Sequence, residues 1–296
     1  SNLCRGKPSP YICYVRQALP MAVHLLAHPD EEVATDAAWA LSYISDSTED
    51  RINMVLDAGV VPTMIQFLAH PAYQIAAIRT IGNIVAGNDL QTQVIVDAGA
   101  LANFHQLLGS PKRSVRKETL WTISNIAAGT LAQIQAVIES GLLPLVIQQL
   151  NATEADVRKE ATWAVSNIAI SGDSQQAQHL LNFDIIPALC ENLSLHDTKV
   201  TIVALDTLEK LLQIGRHQVD MANSLNEGGG FLPEDANPVV KLVIECGGLA
   251  KIDDLQGHRS DEIYQLSAQI IDEFFSIDEE GETLENVHTA SGSFQF

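Results

Sequence analysis

The sequence predicts an all-α solenoid of stacked three-helix repeats, and three observations carry that expectation. One column of residues, Asn2, Tyr43, Asn83, Asn125, Asn167 and Leu208, recurs with steps of 41, 40, 42, 42 and 41 residues. A second column keeps the same step: "DAGVVP" at Asp57, "DAGALA" at Asp97, "ESGLLP" at Glu139 and "NFDIIP" at Asn182. Between these markers apolar residues return at helical spacing, as in Ile75, Ile78, Ile81 and Val85. A period of about 40 residues built from helices is the mark of units that bury their apolar faces against each other.

Each unit reads as a short helix, a Gly stop, a second short helix opened by Pro, and a longer third helix. Gly ends a helix because it tolerates the left-handed cap, and Pro is harmless in a first turn, where its missing N–H has no partner. A longer helix after a short pair favours the armadillo form, a right-handed superhelix. "SNLCRGK" carries the first copy of the column, "AWALSYISD" the second, and the series runs in step to Leu208. There the pattern loosens. "MANSLNEGGGFLPEDANP", residues 221–238, is Gly-rich and acidic and is expected to be a flexible insertion inside a repeat. "VVKLVIECGGLAKIDDL" and "DEIYQLSAQIIDEFF" restore a terminal unit, which an array needs as its finished end. The expected organisation is armadillo repeats over 1–275 and an acidic, then polar tail over 276–296, disordered when alone.

Composition narrows the function. Among 296 residues, 37 acids face 17 bases for a formal charge of −20, a field that repels phosphate backbones, so nucleic acid is not an expected partner. There is no apolar run long enough for a membrane span, and "SNLCRGKPSP" lacks the features of a signal peptide, so a soluble intracellular protein is expected. Cys4, Cys13, Cys190 and Cys246 show no C-x-x-C pairing and read as reduced thiols, and the sequons at Asn151 and Asn192 as accidental. No nucleophile elbow, phosphate loop, H-E-x-x-H or Cys/His cluster occurs. His24 and His105 fall within helices and His70 and His196 near loops, so no enzyme, cofactor or metal is expected.

One stripe stands out. Glu118, Trp121 and Asn125, and again Glu160, Trp163 and Asn167, fall at i, i+3 and i+7 and share a helix face, while Leu120, Ile123 and Ile126 lie around the other side. Stacked repeats turn that stripe into a ladder of indoles and carboxamides. A carboxamide offers both a donor and an acceptor and can bond a peptide backbone without reading its sequence. Indole walls form slots for aliphatic stems, with about 0.5 to 2 kcal/mol per cation–π contact for a Lys or Arg head. Glu118 and Glu160 are expected to meet those heads, and the rings to be exposed.

These residues resemble the importin alpha (karyopherin alpha) family of nuclear import adaptors, whose armadillo repeats carry W-x-x-x-N on the third helix. "IRTIGNIVAGNDLQTQVIVDAGAL", "ETLWTISNIAAG" and "KEATWAVSNIAISG" look like consecutive repeats in the family's order, and "ECGGL", "EFFS" and "SGSFQF" like its last repeat and tail. The resemblance implies binding of basic nuclear localisation signals in an extended form, and shuttling between cytoplasm and nucleus. It places residue 1 inside a fourth repeat, so most of the major site and the basic segment that binds importin beta are expected outside this sequence. The minor site is then carried by Trp121 and Trp163 as walls, Asn83, Asn125 and Asn167 as backbone clamps, Glu118 and Glu160 as acidic ends, and Ser124 as an auxiliary contact. Arg79 stands where a Trp is expected, a replacement the family shares, and a cation there can pair with a carboxylate of the peptide or of a neighbouring repeat. Trp39 keeps the wall one repeat earlier, with Tyr43 for its Asn. Ala204 and Leu208 are read as the end of the ladder. The later surface, Asp261 to Glu285, resembles the region used for an exportin and a nucleoporin. A catenin-like scaffold with a basic groove is the alternative, and groove charge separates the two.

Overall fold

The computed structural model describes residues 4–6, 10–195, 197–225 and 237–276. Among these the regular elements are helical throughout. An opening pair, α1 (Ile12–Leu25) and α2 (Glu31–Ser45), is followed by α3 (Glu49–Asp57), α4 (Val61–Phe67) and α5 (Gln74–Val85). The next triplets are α6 (Asp89–Asp97), α7 (Leu101–Leu108) and α8 (Arg113–Ala127), then α9 (Leu131–Glu139), α10 (Leu143–Gln149) and α11 (Ala155–Ser171). After them come α12 (Ser174–His179) with a 3-10 turn (Leu180–Asn182), α13 (Ile185–Asn192) and the 28-residue α14 (Thr198–Leu225). A closing triplet is α15 (Pro238–Glu245), α16 (Gly248–Leu255) and α17 (Asp261–Phe274). The three-helix repeat read from the periodicity is the repeat observed. Successive third helices, α2, α5, α8, α11, α14 and α17, pack side by side and carry the candidate groove.

The corner between first and second helices has a local cause. Gly59, Gly99, Gly141 and Gly247 sit there at φ between 70° and 78°, a region that side-chain-bearing residues avoid. The fourth triplet lacks this Gly and turns instead through the 3-10 turn and an extended Phe183. Pro62, Pro144 and Pro238 lie in the first turn of α4, α10 and α15.

One continuous apolar core runs from Val15 to Ile270, with Phe104, Ile123, Val146 and Leu205 fully enclosed. Each such side chain contributes about 1.5–3 kcal/mol of burial. Repeats are also stitched by a polar device. Gln91, Gln133 and Gln176 each close a capping box with Asn88, Thr130 and Asp173. Each then donates from Nε2 to a main-chain oxygen one repeat earlier, on Glu49 (3.1 Å), Asp89 (2.8 Å) and Leu131 (2.9 Å). Asn192 is fully buried and donates to Thr162 Oγ1 at 3.2 Å, which closes that sequon to modification. The four cysteines are free thiols, and burial pushes the Cys190 thiol up.

Two boundaries differ from the sequence reading. Residues 221–225 of the expected insertion continue α14. At its other end Asn237 is buried, donates to Leu212 O at 2.9 Å and caps α15 by accepting the Val239 N–H. An unbroken helix at one end and the buried Asn237 cap at the other extend the repeat into a stretch whose composition reads as loop. Residues 226–236, the column's Asn2, His196 and the tail from 277 lie outside the described residues.

Candidate peptide-binding groove

On the third helices the stripe positions line up across repeats: Trp39, Arg79, Trp121 and Trp163, and one turn on, Tyr43, Asn83, Asn125 and Asn167. Flanking residues such as Leu41, Ile81, Ile123 and Val165 are buried, and that burial fixes the stripe's direction. The three Trp rings are half-buried rather than exposed; Trp121 lies against Gly82 and under Arg79 of α5, and Trp39 stacks on Tyr43 of its own helix.

At the α2 end, Tyr43 stacks on Trp39 with centroids 5.9 Å apart, so that rung is filled by two aromatic rings of one helix. Asn83 is 6% exposed, and its Nδ2 donates to Ser42 O at 2.8 Å and Ser45 Oγ at 3.2 Å. Asn167 repeats the main-chain bond two repeats later, donating to Ser124 O at 2.7 Å. Asn125 does not: its Nδ2 is buried and has no partner among the described residues. Leaving a buried donor unpaired costs about 1–3 kcal/mol.

The acids divide in the opposite sense. Glu118, read from sequence as a receptor for a ligand's cationic head, is 7% exposed, and its Oε1 already holds the Arg79 guanidinium at 3.0 Å, with Lys117 Nζ at 3.9 Å. Arg79 also lies over the Trp121 ring, 5.6 Å from its centroid. The cation slot at this rung is therefore occupied from within the chain. Glu160 is half-buried with no ion-pair partner among the described residues, and burial raises its pKa, assisted by Glu118 and Asp156 and opposed by Lys117 and Lys159. Ser124 donates its hydroxyl to Trp121 O at 2.8 Å, within its own helix.

Further along, Ala204 and Leu208 are fully buried core residues and do not occupy the ladder columns. Asp206 and Lys210 are the half-exposed pair on that face of α14. The 41-residue step expected from earlier repeats falls two residues short here: Trp163 to Asp206 is 43 residues. The ladder ends in a carboxylate and an ammonium. The sequence reading also missed Asp46 and Glu49. With Ser45, Asn83, Gly87 and Trp121 they line a hollow of about 350 Å³ beside the groove.

Outside the stripe, Arg113–Asp156 (2.7 Å), Arg116–Glu154 (2.7 Å) and Lys159–Asp197 (2.9 Å) join neighbouring repeats, and these partners hold the three carboxyls below the usual range. The described residues contain no cluster of His, Cys, Asp and Glu suited to a metal, and no single helix long and apolar enough to cross a membrane.

Triplets of helices with an Asn-bearing groove on the third define the class as armadillo-repeat. The Armadillo/beta-catenin-like repeat model matches residues 9–46, 88–128 and 132–170, and the Atypical Arm repeat model matches 237–289. Among solved structures, the chain is similar to a designed armadillo repeat protein in complex with the peptide (KR)4, with TM-score 0.72 and 29% identity over 86% of this chain and 99% of that one. A computationally designed armadillo repeat protein for modular peptide recognition gives TM-score 0.73 and 27% identity, covering 86% of this chain and 98% of that one. Curated relatives are more specific. Importin subunit alpha-3 of Arabidopsis thaliana is 46% identical over 100% of this chain and 55% of its own length. Importin subunit alpha-7 of the same plant is 48% identical over 93% and 52%, and importin subunit alpha-B of Dictyostelium discoideum 43% over 95% and 53%. The chain belongs to the importin subunit alpha family. It spans about half the length of the curated relatives it matches.

Proposed function

We propose that this chain binds basic peptides of the nuclear localisation signal class, in extended form, along α5, α8 and α11, and that it serves nuclear import as an adaptor. The observation that carries the reading is the rung at Trp121 and Asn125, where a buried amide lacks a partner inside an aromatic-walled groove. A ligand carbonyl reached by a small rotation of that side chain would relieve the cost of the unpaired donor. Glu160, which has no ion-pair partner among the described residues, supplies a carboxyl for a Lys or Arg head beside Trp163. Asp46 and Glu49 do the same in the hollow beside Trp121. The chain's charge of −20 draws cationic ligands and repels nucleic acid. The likeness to a designed protein solved with (KR)4 supports a basic ligand.

The chain acts in this reading by binding, not by catalysis. Its partners are cargo proteins bearing basic signals, importin beta in the whole protein, and an exportin and a nucleoporin at the later repeats, with shuttling between cytoplasm and nucleus. Fluorescence anisotropy of a labelled Lys/Arg peptide tests it. Saturable binding is expected, weakened more than about 10-fold in an Asn125→Ala/Asn167→Ala variant. Equal binding of an acidic peptide of the same length would overturn the reading.

A further inference from the structure

The residue just before each position of the ladder column, Tyr43, Asn83, Asn125 and Asn167, is Ser42, Gly82, Ser124 and Ser166 in turn. Gly82 is the exception, and it lies buried in the middle of α5, where glycine is among the weakest helix formers. A Cβ at this position would lie 2.4 Å from Cζ3 and 2.8 Å from Cε3 of Trp121, and 2.9 Å from Thr122 Oγ1. The benzo edge of the indole therefore rests on bare α5 backbone. Arg79, one turn earlier on the same helix, lies over that ring and is held by Glu118. The two junctions whose preceding helix carries serine have an amide bonded across them, Asn83 to Ser42 O and Asn167 to Ser124 O. The junction that carries Gly82 is the one whose amide, on Asn125, is unpaired.

We propose that Gly82 is a positioning residue of the groove: having no side chain, it seats the Trp121 ring against α5 and keeps the adjoining rung open, with the Asn125 amide available to a ligand. The inference rests on the peptide-binding reading for its functional half; the seat of the ring stands apart from it. Serine at this position would make the α5/α8 junction like its neighbours, which close on themselves.

The test is Gly82→Ser, which installs the residue the other rungs use. In a Trp39→Phe/Trp163→Phe background Trp121 is the sole Trp emitter. There Gly82→Ser should shift its emission to the red and raise its quenching by acrylamide with no peptide present. In the otherwise unaltered chain, Gly82→Ser should weaken a labelled Lys/Arg peptide by about 5-fold or more. Unchanged emission and quenching would overturn the seat. A changed ring with unchanged affinity would overturn the positioning role alone, and absence of binding by the unaltered chain would overturn the peptide-binding reading instead. Should Gly82→Ser unfold the array, a double-mutant cycle decides. Gly82→Ala should cost affinity in the unaltered chain and much less beside Trp121→Phe, whose smaller ring leaves room for the methyl; additive effects would contradict the coupling.

Discussion

The rungs at Asn125 and Asn167 carry the same E-x-x-W-x-x-x-N motif and reach opposite states. At α8 the acid is engaged and the amide is not: Glu118 holds Arg79, while Asn125 Nδ2 has no partner among the described residues. At α11 the amide is engaged and the acid is not: Asn167 bonds Ser124 O, while Glu160 has no ion-pair partner among the described residues and a raised pKa. The cause lies in the preceding helix each time. α5 sets Arg79 and Gly82 against α8, whereas α8 carries Trp121 in the column of Arg79 and offers Ser124 O to Asn167 of α11. A motif in a repeat array thus takes its chemistry from its neighbour, so one motif supplies an unengaged side-chain amide donor at one rung and an unengaged carboxyl at the next.

Substitutions can break this contrast, and the largest effect is expected at the shared wall. Trp121→Ala should weaken a Lys/Arg peptide more than about 10-fold, as aromatic anchors do. Because the ring packs on Gly82 and Arg79, it should also lower Tm more than Trp163→Ala does, which differential scanning calorimetry reads. Arg79→Ala should come next. It strands the Glu118 carboxylate, 7% exposed, and should cost about 1–3 kcal/mol of stability by chemical denaturation.

The sharpest comparison is between the two amides. Asn167→Ala removes a bond to Ser124 O and should cost about 0.5–1.5 kcal/mol. Asn125→Ala removes a buried donor that has no partner among the described residues, so relief of its desolvation cost of about 1–3 kcal/mol offsets the packing lost; the variant should be no less stable than the unaltered chain, yet weaken peptide binding as much. Equal stability losses would remove the distinction between the rungs.

The smallest effect concerns pH. Burial raises Glu160 above the ordinary carboxylate range in the free protein, so on acidification the native chain takes up that proton before the unfolded chain does. Ionised Glu160 therefore opposes folding above its raised pKa, and Glu160→Gln should stabilise the free protein slightly at neutral pH. Protonation also removes the charge a cationic peptide meets, so affinity should fall as pH drops through the same pKa. The Gln variant should show a shallower fall. Binding should weaken with added salt throughout.

Much of this was legible in sequence because its causes are local. The repeat step, the Gly corners and the first-turn prolines each follow from backbone preferences of one or two residues. The facing of Trp121 and Asn125 follows from helical spacing alone. What escaped depends on the next repeat. Spacing cannot show that Glu118 is held by Arg79, 39 residues away, or that Asn83 Nδ2 is held by α2. Some of the missed signal was present. "IGNIVAG" against "ISNIAAG" marks Gly82 as the odd residue in its column, and N-D-L-Q, T-L-A-Q and D-S-Q-Q spell the capping boxes whose glutamines join the repeats. The shift from Ala204 and Leu208 to Asp206 and Lys210 was hidden because both pairs fit a helix, and burial decides between them.

The most direct test follows the side-chain amide of Asn125 by NMR, in chain labelled with nitrogen-15 at asparagine and assigned through Asn125→Ala. Titration with a short Lys/Arg peptide should move the Asn125 NH2 resonances as that donor gains a carbonyl, and an acidic peptide of equal length should not. An Asn125 amide that stays in place at saturating basic peptide would contradict the open rung as the ligand's backbone anchor.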